Sequence, residues 1–254
     1  MSIDMFSISQ YLAQLLDVSS FHDVAPNGLQ VEGTRPIRRL ATAVTASQYA
    51  IDEACRNGAD ILLVHHGLFL SQNFLGVHGF LRQRLGRLME SGAHLLAYHL
   101  PLDAHEQFGN AWPWARSLGM TDLYPFGIVN GKTIGVRGTL SIPMTGKDFY
   151  ISLQNHWGSK GIFLANDESR QIRTCAFVSG QGHRFLQEAL DAHVDCFING
   201  TIDDRSWHCV RESDIHFMAF GHYTTEKIGV QLLGNHLAER YGLEHFFIAE
   251  QNPF

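Results

Sequence analysis

Three groups of histidine and acidic residues lie far apart in this chain, and each follows an apolar run. One is His65-His66, the second runs from His99 to Asp103, and the third runs from His222 to Glu226. Imidazole nitrogen and carboxylate oxygen are ligands that zinc, iron(II) and manganese accept, and such a mixed set suits two adjacent ions better than one. The residues therefore predict a dinuclear metal site and metal-assisted hydrolysis.

Each group also has a purely structural explanation. Neighbouring histidines on a regular strand point to opposite faces, so His65 and His66 share one site only if the strand has ended, as Gly67 suggests, or if they serve two ions. Asp103, after a proline turn, can bond local amides, and Glu226 would be favoured in a first helical turn by the helix dipole. The metal prediction depends on all three groups occupying equivalent strand ends.

The surrounding pattern predicts the elements that position these groups. Ser47 caps a helix that ends before Gly58, and the apolar run 61–64 is typical of a buried parallel strand, so a βαβ unit delivers His65 at a strand's carboxyl end. Pro101 is expected to end a strand over 95–100 and to leave Asp103 in a loop. Further helices are predicted at 8–16, 80–89, 147–156 and 224–241, and further strands at 39–45, 196–198 and 216–220. The alternating segment around 133–142 indicates a hairpin-containing insert or an interface element.

The second half of the chain resembles the first at an offset of 135 positions. Asp60 aligns with Asp195, and Glu53-Ala54 align with Glu188-Ala189. This match indicates either an internal duplication or the common pattern of two βαβ units. We therefore predict an α/β fold of two similar, interlocked halves, 1–126 and 127–254, with mainly parallel or mixed sheets and the last strand able to cross back. The metal site is expected at strand carboxyl ends between the halves.

Composition disfavours several classes of protein. The 254 residues carry a formal net charge of −6, which gives no overall attraction to nucleic acid or anionic membrane. The four cysteines are widely spaced, so they predict neither a disulfide framework nor a zinc ribbon. No signal peptide or membrane-spanning run is evident, and a cytoplasmic protein is expected.

Four segments together resemble the family of GTP cyclohydrolase I type 2 homologs. They begin at Pro26, Val64, His99 and Gly221, and read PNGLQVEG, VHHG, HLPLDAH and GHYTTE. The resemblance spans nearly the whole chain. It implies a toroidal homohexamer with a dinuclear site, in a short form of the family that lacks a larger inserted domain. The family's metal-binding positions fall on His65, His66, Asp103, His222 and Glu226.

The expected activity is hydrolysis of a C–N bond in a nucleotide-like or cyclic substrate, with two divalent ions per protomer activating a bridging water. His99 and His105 are the candidate acid/base residues, and the ions are iron, zinc or manganese. The resemblance also shows a departure: Thr201 stands where many relatives carry a glutamate. That loss favours the alternative of a metal-binding or partner-binding hexameric scaffold without significant turnover.

Overall fold

The computed structural model describes residues 4–69 and 76–254. The chain divides into two compact units, one of Met1–Phe108 with Lys227–Gln251 and the other of Gly109–Glu226 with Asn252–Phe254. The sequence predicts the boundary later, after residue 126. The division is earlier because the strand Met120–Val129 pairs along its length with the strand Lys132–Thr145 and so belongs to the second sheet.

Among the described residues of the first unit, the strands form one sheet in the order β1-β4-β3-β2-β11. Strands β2, β3, β4 and β11 run parallel, whereas β1 is antiparallel to β4. The strands are β1 (Gly28–Val31), β2 (Arg39–Thr45), β3 (Ile61–His66), β4 (His94–Ala97) and β11 (Glu244–Phe247). The helices are α1 (Met5–Leu15), α2 (Gln48–Arg56), α3 (Gly79–Ser91), α4 (Leu100–Asp103) and α10 (Lys227–Tyr241).

The described strands of the second unit form a sheet in the order β5-β6-β8-β9-β10-β7. Its parallel centre is β8, β9 and β10, and β7 is antiparallel to β10. The strands are β5 (Met120–Val129), β6 (Lys132–Thr145), β7 (Ile162–Leu164), β8 (Gln171–Val178), β9 (Cys196–Asn199) and β10 (His216–Ala219). The helices are α5 (Ala111–Ser117), α6 (Gly146–Trp157), α7 (Leu186–Asp191), α8 (Asp204–Arg211) and α9 (His222–Thr225).

The predicted α/β fold with mixed sheets is confirmed, and local signals explain much of it. Ser47 caps α2 by accepting the Ala50 N–H, and Asn130-Gly131 turn the β5–β6 hairpin with positive φ at both positions. Each unit has its own apolar core, built on residues such as Leu62 in the first and Phe177 in the second. In residues 4–69 and 76–254, no helix combines the length and apolarity required to cross a membrane.

Two sequence predictions about the site elements are wrong. Asp103 lies in the one-turn helix α4 and not in a loop, because Pro101 occupies its first turn, where the fixed φ is favourable and no N–H is needed. The helix predicted over 224–241 is two helices, α9 and α10, interrupted at Glu226, whose φ of −111° is not helical. The Thr225 hydroxyl contributes to the break by bonding back to the Gly221 carbonyl.

Candidate metal-binding residues

In the first unit, four potential ligands converge after the strands β3 and β4. His65, His66 and His99 each offer a ring nitrogen, and these three atoms lie within 4.8 Å of one another. The fourth, Asp103, places Oδ2 3.4 Å from His65 Nε2. We call these residues the first donor set. They come to one place because parallel strands end at the same edge of a sheet.

His65 is held with Nε2 directed at the Asp103 carboxylate. Its other ring nitrogen, Nδ1, is 2.9 Å from the Tyr98 carbonyl oxygen, which can only accept, so Nδ1 carries the hydrogen. The His65 side chain is 0% exposed and that of Asp103 is 6% exposed. In neutral His65, a nitrogen lone pair would therefore face a buried carboxylate, an arrangement that a cation between them would stabilise.

His66 joins His65 although the strand has not ended. β3 includes both residues, and Thr45 is still paired with His66. The two imidazole rings nevertheless have centroids 4.6 Å apart, with their planes tilted by 52°. Rotation about the side-chain bonds therefore brings the rings together despite the alternation of the pleat, and the alternative that the two histidines serve two ions stays a prediction.

His99 is positioned by a buried acid that the sequence analysis missed. Its Nδ1 donates to Asp23 Oδ1 at 2.8 Å, and the Asp23 side chain is 3% exposed. Burial alone would raise the pKa of Asp23, but the hydrogen bond and charge of His99 and the bonds from Asn27 and Ala25 hold it well below its usual value. Asp23 is therefore ionised and fixes the tautomer of His99.

In the second unit, His222 and Glu226 form the second donor set. His222 Nε2 lies 3.1 Å from Glu226 Oε1, and the Glu226 side chain is 4% exposed. The predicted convergence of the two side chains is present, although Glu226 follows α9 and does not lie in the first turn of a longer helix. Burial makes the dipole explanation insufficient for Glu226, since a carboxylate at a helix end has no need to leave solvent.

Gly180 makes room for the second donor set. Its φ is +57°, and a Cβ built on it would overlap Glu226 Oε1 and lie 3.0 Å from His222 Nε2. The Gly180 N–H donates to Thr225 Oγ1 at 3.0 Å, which holds the glycine beside the break between the helices. A Gly180-Gln-Gly182 segment is visible in the sequence, but only the folded chain shows what the first glycine accommodates.

The structure gives His105 a different position from that expected of an acid/base residue. His105 Nδ1 accepts the N–H groups of Gln107 and Phe108, and the ring stacks on Phe108 with centroids 5.0 Å apart. Burial lowers the pKa of His105, and the nearby charge of Glu106 partly opposes that shift. Among the described residues it belongs to none of the clustered ligand groups. Its contacts are those of a turn-forming residue.

Comparison with known proteins identifies the family to which the chain belongs. Residues 3–253 match the family model described as Duf34/NIF3 (NGG1p interacting factor 3). Proteins named GTP cyclohydrolase 1 type 2 homolog are similar over nearly their whole length: that of Pseudomonas aeruginosa is 37% identical and covered over 100% of both chains, and that of Chlamydia trachomatis is 40% identical, with 96% of each covered.

Solved structures give the same result. The protein named ybgI, described as of unknown function, is 33% identical with a TM-score of 0.92, covering 99% of this chain and 100% of its own. TTHA1606 from Thermus thermophilus is 32% identical with a TM-score of 0.90, covering 99% of this chain and 100% of its own. With full-length agreement in both sequence and fold, the chain belongs to the Duf34/NIF3 family.

Proposed function

We propose that this protein is a divalent-metal-dependent hydrolase that cleaves a C–N bond in a nucleotide-like or cyclic substrate. The metal ligands are His65, His66 and Asp103 of the first donor set and His222 and Glu226 of the second, holding two ions per protomer. Iron, zinc and manganese all suit imidazole and carboxylate ligands, so the cellular supply selects among them. When bound, such ions polarise the scissile bond and lower the pKa of water.

The observation that carries this proposal is the pairing of His65 with Asp103. The tautomer of His65 is set by the Tyr98 carbonyl, and its Nε2 faces a buried carboxylate oxygen at 3.4 Å. Orientation of one imidazole nitrogen by a backbone carbonyl is how metal-ligating histidines are commonly held. The close approach of the Glu226 carboxylate to Gly180 supports the second donor set, because any side chain at position 180 would displace that carboxylate.

His99 supplies the proton transfer that the reaction needs. With Nδ1–H donated to Asp23, its Nε2 is the atom that takes a proton from the attacking water or gives one to the leaving nitrogen. Asp23 orients the ring and stabilises its protonated form, which is the usual function of an acid behind a catalytic histidine. His105 is left out of this mechanism.

The proposal also includes a toroidal homohexamer acting on a small molecule, as the family resemblance implies. Its ring form is independent of the ligand assignment and is tested by analytical ultracentrifugation. A hexamer of the 28.5 kDa chain supports it, and a monomer would contradict it without affecting the metal ligands.

The direct test is elemental analysis of protein purified without added metal or chelator. About two ions per chain are expected in the wild type, with a sharp loss in Asp103→Ala and in Glu226→Ala. His105→Ala is the control, since it removes an imidazole close in sequence that we exclude from the ligands. A wild-type protein that carries no metal and takes up no zinc, iron or manganese on titration would overturn the metal assignment.

Activity is tested separately, by a screen of nucleotides with the metal that the purified protein carries. Turnover by the wild type that Glu226→Ala lacks supports the hydrolase. Equal background rates would support the second candidate, a metal-binding scaffold. That alternative is favoured by Thr201, which contributes a hydroxyl bonded to His183 at 2.6 Å where an acid was expected.

A further inference from the structure

The second unit contains a cavity that the metal ligands do not line. Its volume is about 170 Å³, more than ten times the roughly 10–15 Å³ that one water molecule requires. It lies between the segment after β8 and the start of α8, and six of its eight lining residues are polar or charged. Among them are His183, Arg184, Asp203, Arg205 and Ser206.

We propose that this cavity binds the phosphate group of a phosphorylated small molecule. Two arginines, Arg184 and Arg205, and one aspartate, Asp203, line it, so the wall carries a formal charge of +1 before His183 is counted. The whole chain has a net charge of −6, which makes this a local reversal of sign. Arginine is the side chain best matched to phosphate, because its planar N–H groups bind two oxygens at once.

The Asp203 carboxylate interacts with Ser206 and lies near His183. Its Oδ1 accepts the Ser206 N–H at 2.8 Å as the N-cap of α8, and its Oδ2 lies 3.9 Å from His183 Nε2. Hydrogen bonds from Ser206 keep the pKa of Asp203 below its usual value, so the carboxylate remains ionised. The carboxylate is therefore engaged with Ser206 and His183.

Thr201 keeps a further negative charge out of this wall. Its Oγ1 lies 2.6 Å from His183 Nδ1 and 3.3 Å from the Gly180 carbonyl oxygen. A hydroxyl can either donate to or accept from the ring, so His183 is free of the charge that a carboxylate at position 201 would place beside it. A residue change at this one position would alter the electrostatics of the cavity.

The same contacts connect the cavity to the second donor set. Gly180 accepts from Thr201 on one side and leaves space for Glu226 and His222 on the other. The cavity and the second donor set are therefore linked through Thr201 and Gly180. The phosphate site rests on the proposed hydrolase only for the identity of the molecule that carries the phosphate.

The test is equilibrium dialysis of metal-free protein against labelled inorganic phosphate, GMP and guanosine. Removal of metal excludes phosphate binding to an ion. One saturable site per chain for phosphate and GMP is expected, with affinity reduced by about tenfold or more in Arg184→Gln/Arg205→Gln and in Thr201→Glu. Arg173→Gln, an exposed arginine of the same unit, and Thr201→Ser should bind as the wild type does.

The ligands distinguish the source of the phosphate. Tighter binding of GMP than of phosphate indicates a nucleotide, whereas equal binding indicates free phosphate, and both support the site. Equal affinity in all variants, binding of guanosine as tight as that of GMP, or an absence of saturable binding would overturn it. Metal content of each preparation, measured before the metal is removed, shows independently whether the metal assignment fails, and thermal unfolding shows that each variant is folded.

Discussion

Asp60 and Asp195 perform the same structural task, 135 positions apart in the chain (195 minus 60). Asp60 Oδ2 accepts the N–H groups of Arg38 and Arg39, both at 2.9 Å, where β2 begins. Asp195 Oδ2 accepts those of Arg173 and Thr174, at 3.0 and 2.8 Å, just before β8 begins to pair with β9 at Cys175. Each aspartate thus fixes the neighbouring strand where the parallel pairing begins in its own unit.

The equivalence extends to the ends of the strands that carry the donor sets. The parallel strands β2, β3 and β4 correspond to β8, β9 and β10, and in each unit the third strand also pairs with an antiparallel edge strand. A one-turn helix follows the third strand in both, α4 with Asp103 and α9 with His222. The sequence offset therefore reflects a shared topology, whichever origin produced it.

We expect Asp195→Ala to lower the free energy of unfolding by about 2–3 kcal/mol, because two backbone N–H groups lose an ionised acceptor. Urea unfolding monitored by circular dichroism measures the change. Asp214→Ala, an exposed aspartate in the same unit, should remain within about 0.5 kcal/mol of the wild type. Equal effects of the two substitutions would contradict the role of Asp195.

Acid should remove the contribution of Asp195 to the free energy of unfolding. Burial tends to raise the pKa of Asp195, but bonds from Thr174 and Arg173 lower it below the usual 3.8. A lowered folded-state pKa stabilises the protein above the unfolded value, and that stability is lost as pH falls through the folded value. At pH values below about 4, the urea concentration at the unfolding midpoint should therefore decrease more steeply for the wild type than for Asp195→Asn.

Local signals made much of the fold predictable. Ser47 predicts the start of α2, and the apolar run before His65 predicts a buried parallel strand, since both features depend only on neighbouring residues. The offset between Asp60 and Asp195 was also visible, although its meaning depends on hydrogen bonds between strands. The pattern does not predict α4 or the break at Glu226. Pro101 acts through its fixed φ, and Thr225 acts through a hydrogen bond from its hydroxyl to the Gly221 carbonyl.

Residues that support the site were harder to find than candidate ligands. Asp23 lies 76 positions before His99, in a segment without regular structure, and only the folded chain brings the two together. The sequence makes His105 a candidate acid/base beside His99, whereas its ring is turned toward the amides of Gln107 and Phe108. Proximity along the chain gives no direction for a side chain, and burial is decided by distant residues.

Gly180→Ala should remove metal from the protein. A Cβ would overlap the Glu226 carboxylate, so the second donor set must move, and the positive φ adds about 1 kcal/mol of strain. Gly158→Ala is the matched control, because Gly158 has φ of +63° in the same unit with open space around its Cβ position. Both variants should lose similar backbone stability, and loss of metal in both would show that the glycine acts only through the fold.

His99 and His105 should differ in their effect on turnover. His99→Ala is expected to lower kcat by about 100-fold or more, since it removes the proposed proton carrier. His105→Ala is expected to lower the melting temperature while kcat changes little, because its ring only supports the turn at Gln107 and Phe108. Steady-state kinetics and thermal unfolding of both variants separate these outcomes, and a comparable loss of kcat in His105→Ala would restore it as an acid/base candidate.

Asp23→Asn tests whether the acid behind His99 acts on the chemistry or only on the fold. An amide can keep the bond to Asn27 or Ala25 by presenting its oxygen, but it cannot stabilise a protonated His99. We therefore expect kcat to fall about 10- to 100-fold with metal content unchanged. Asp23→Glu, which restores the charge at a greater reach, should recover part of the rate. If metal content falls together with activity in Asp23→Asn, His99 is a metal ligand rather than the proton carrier.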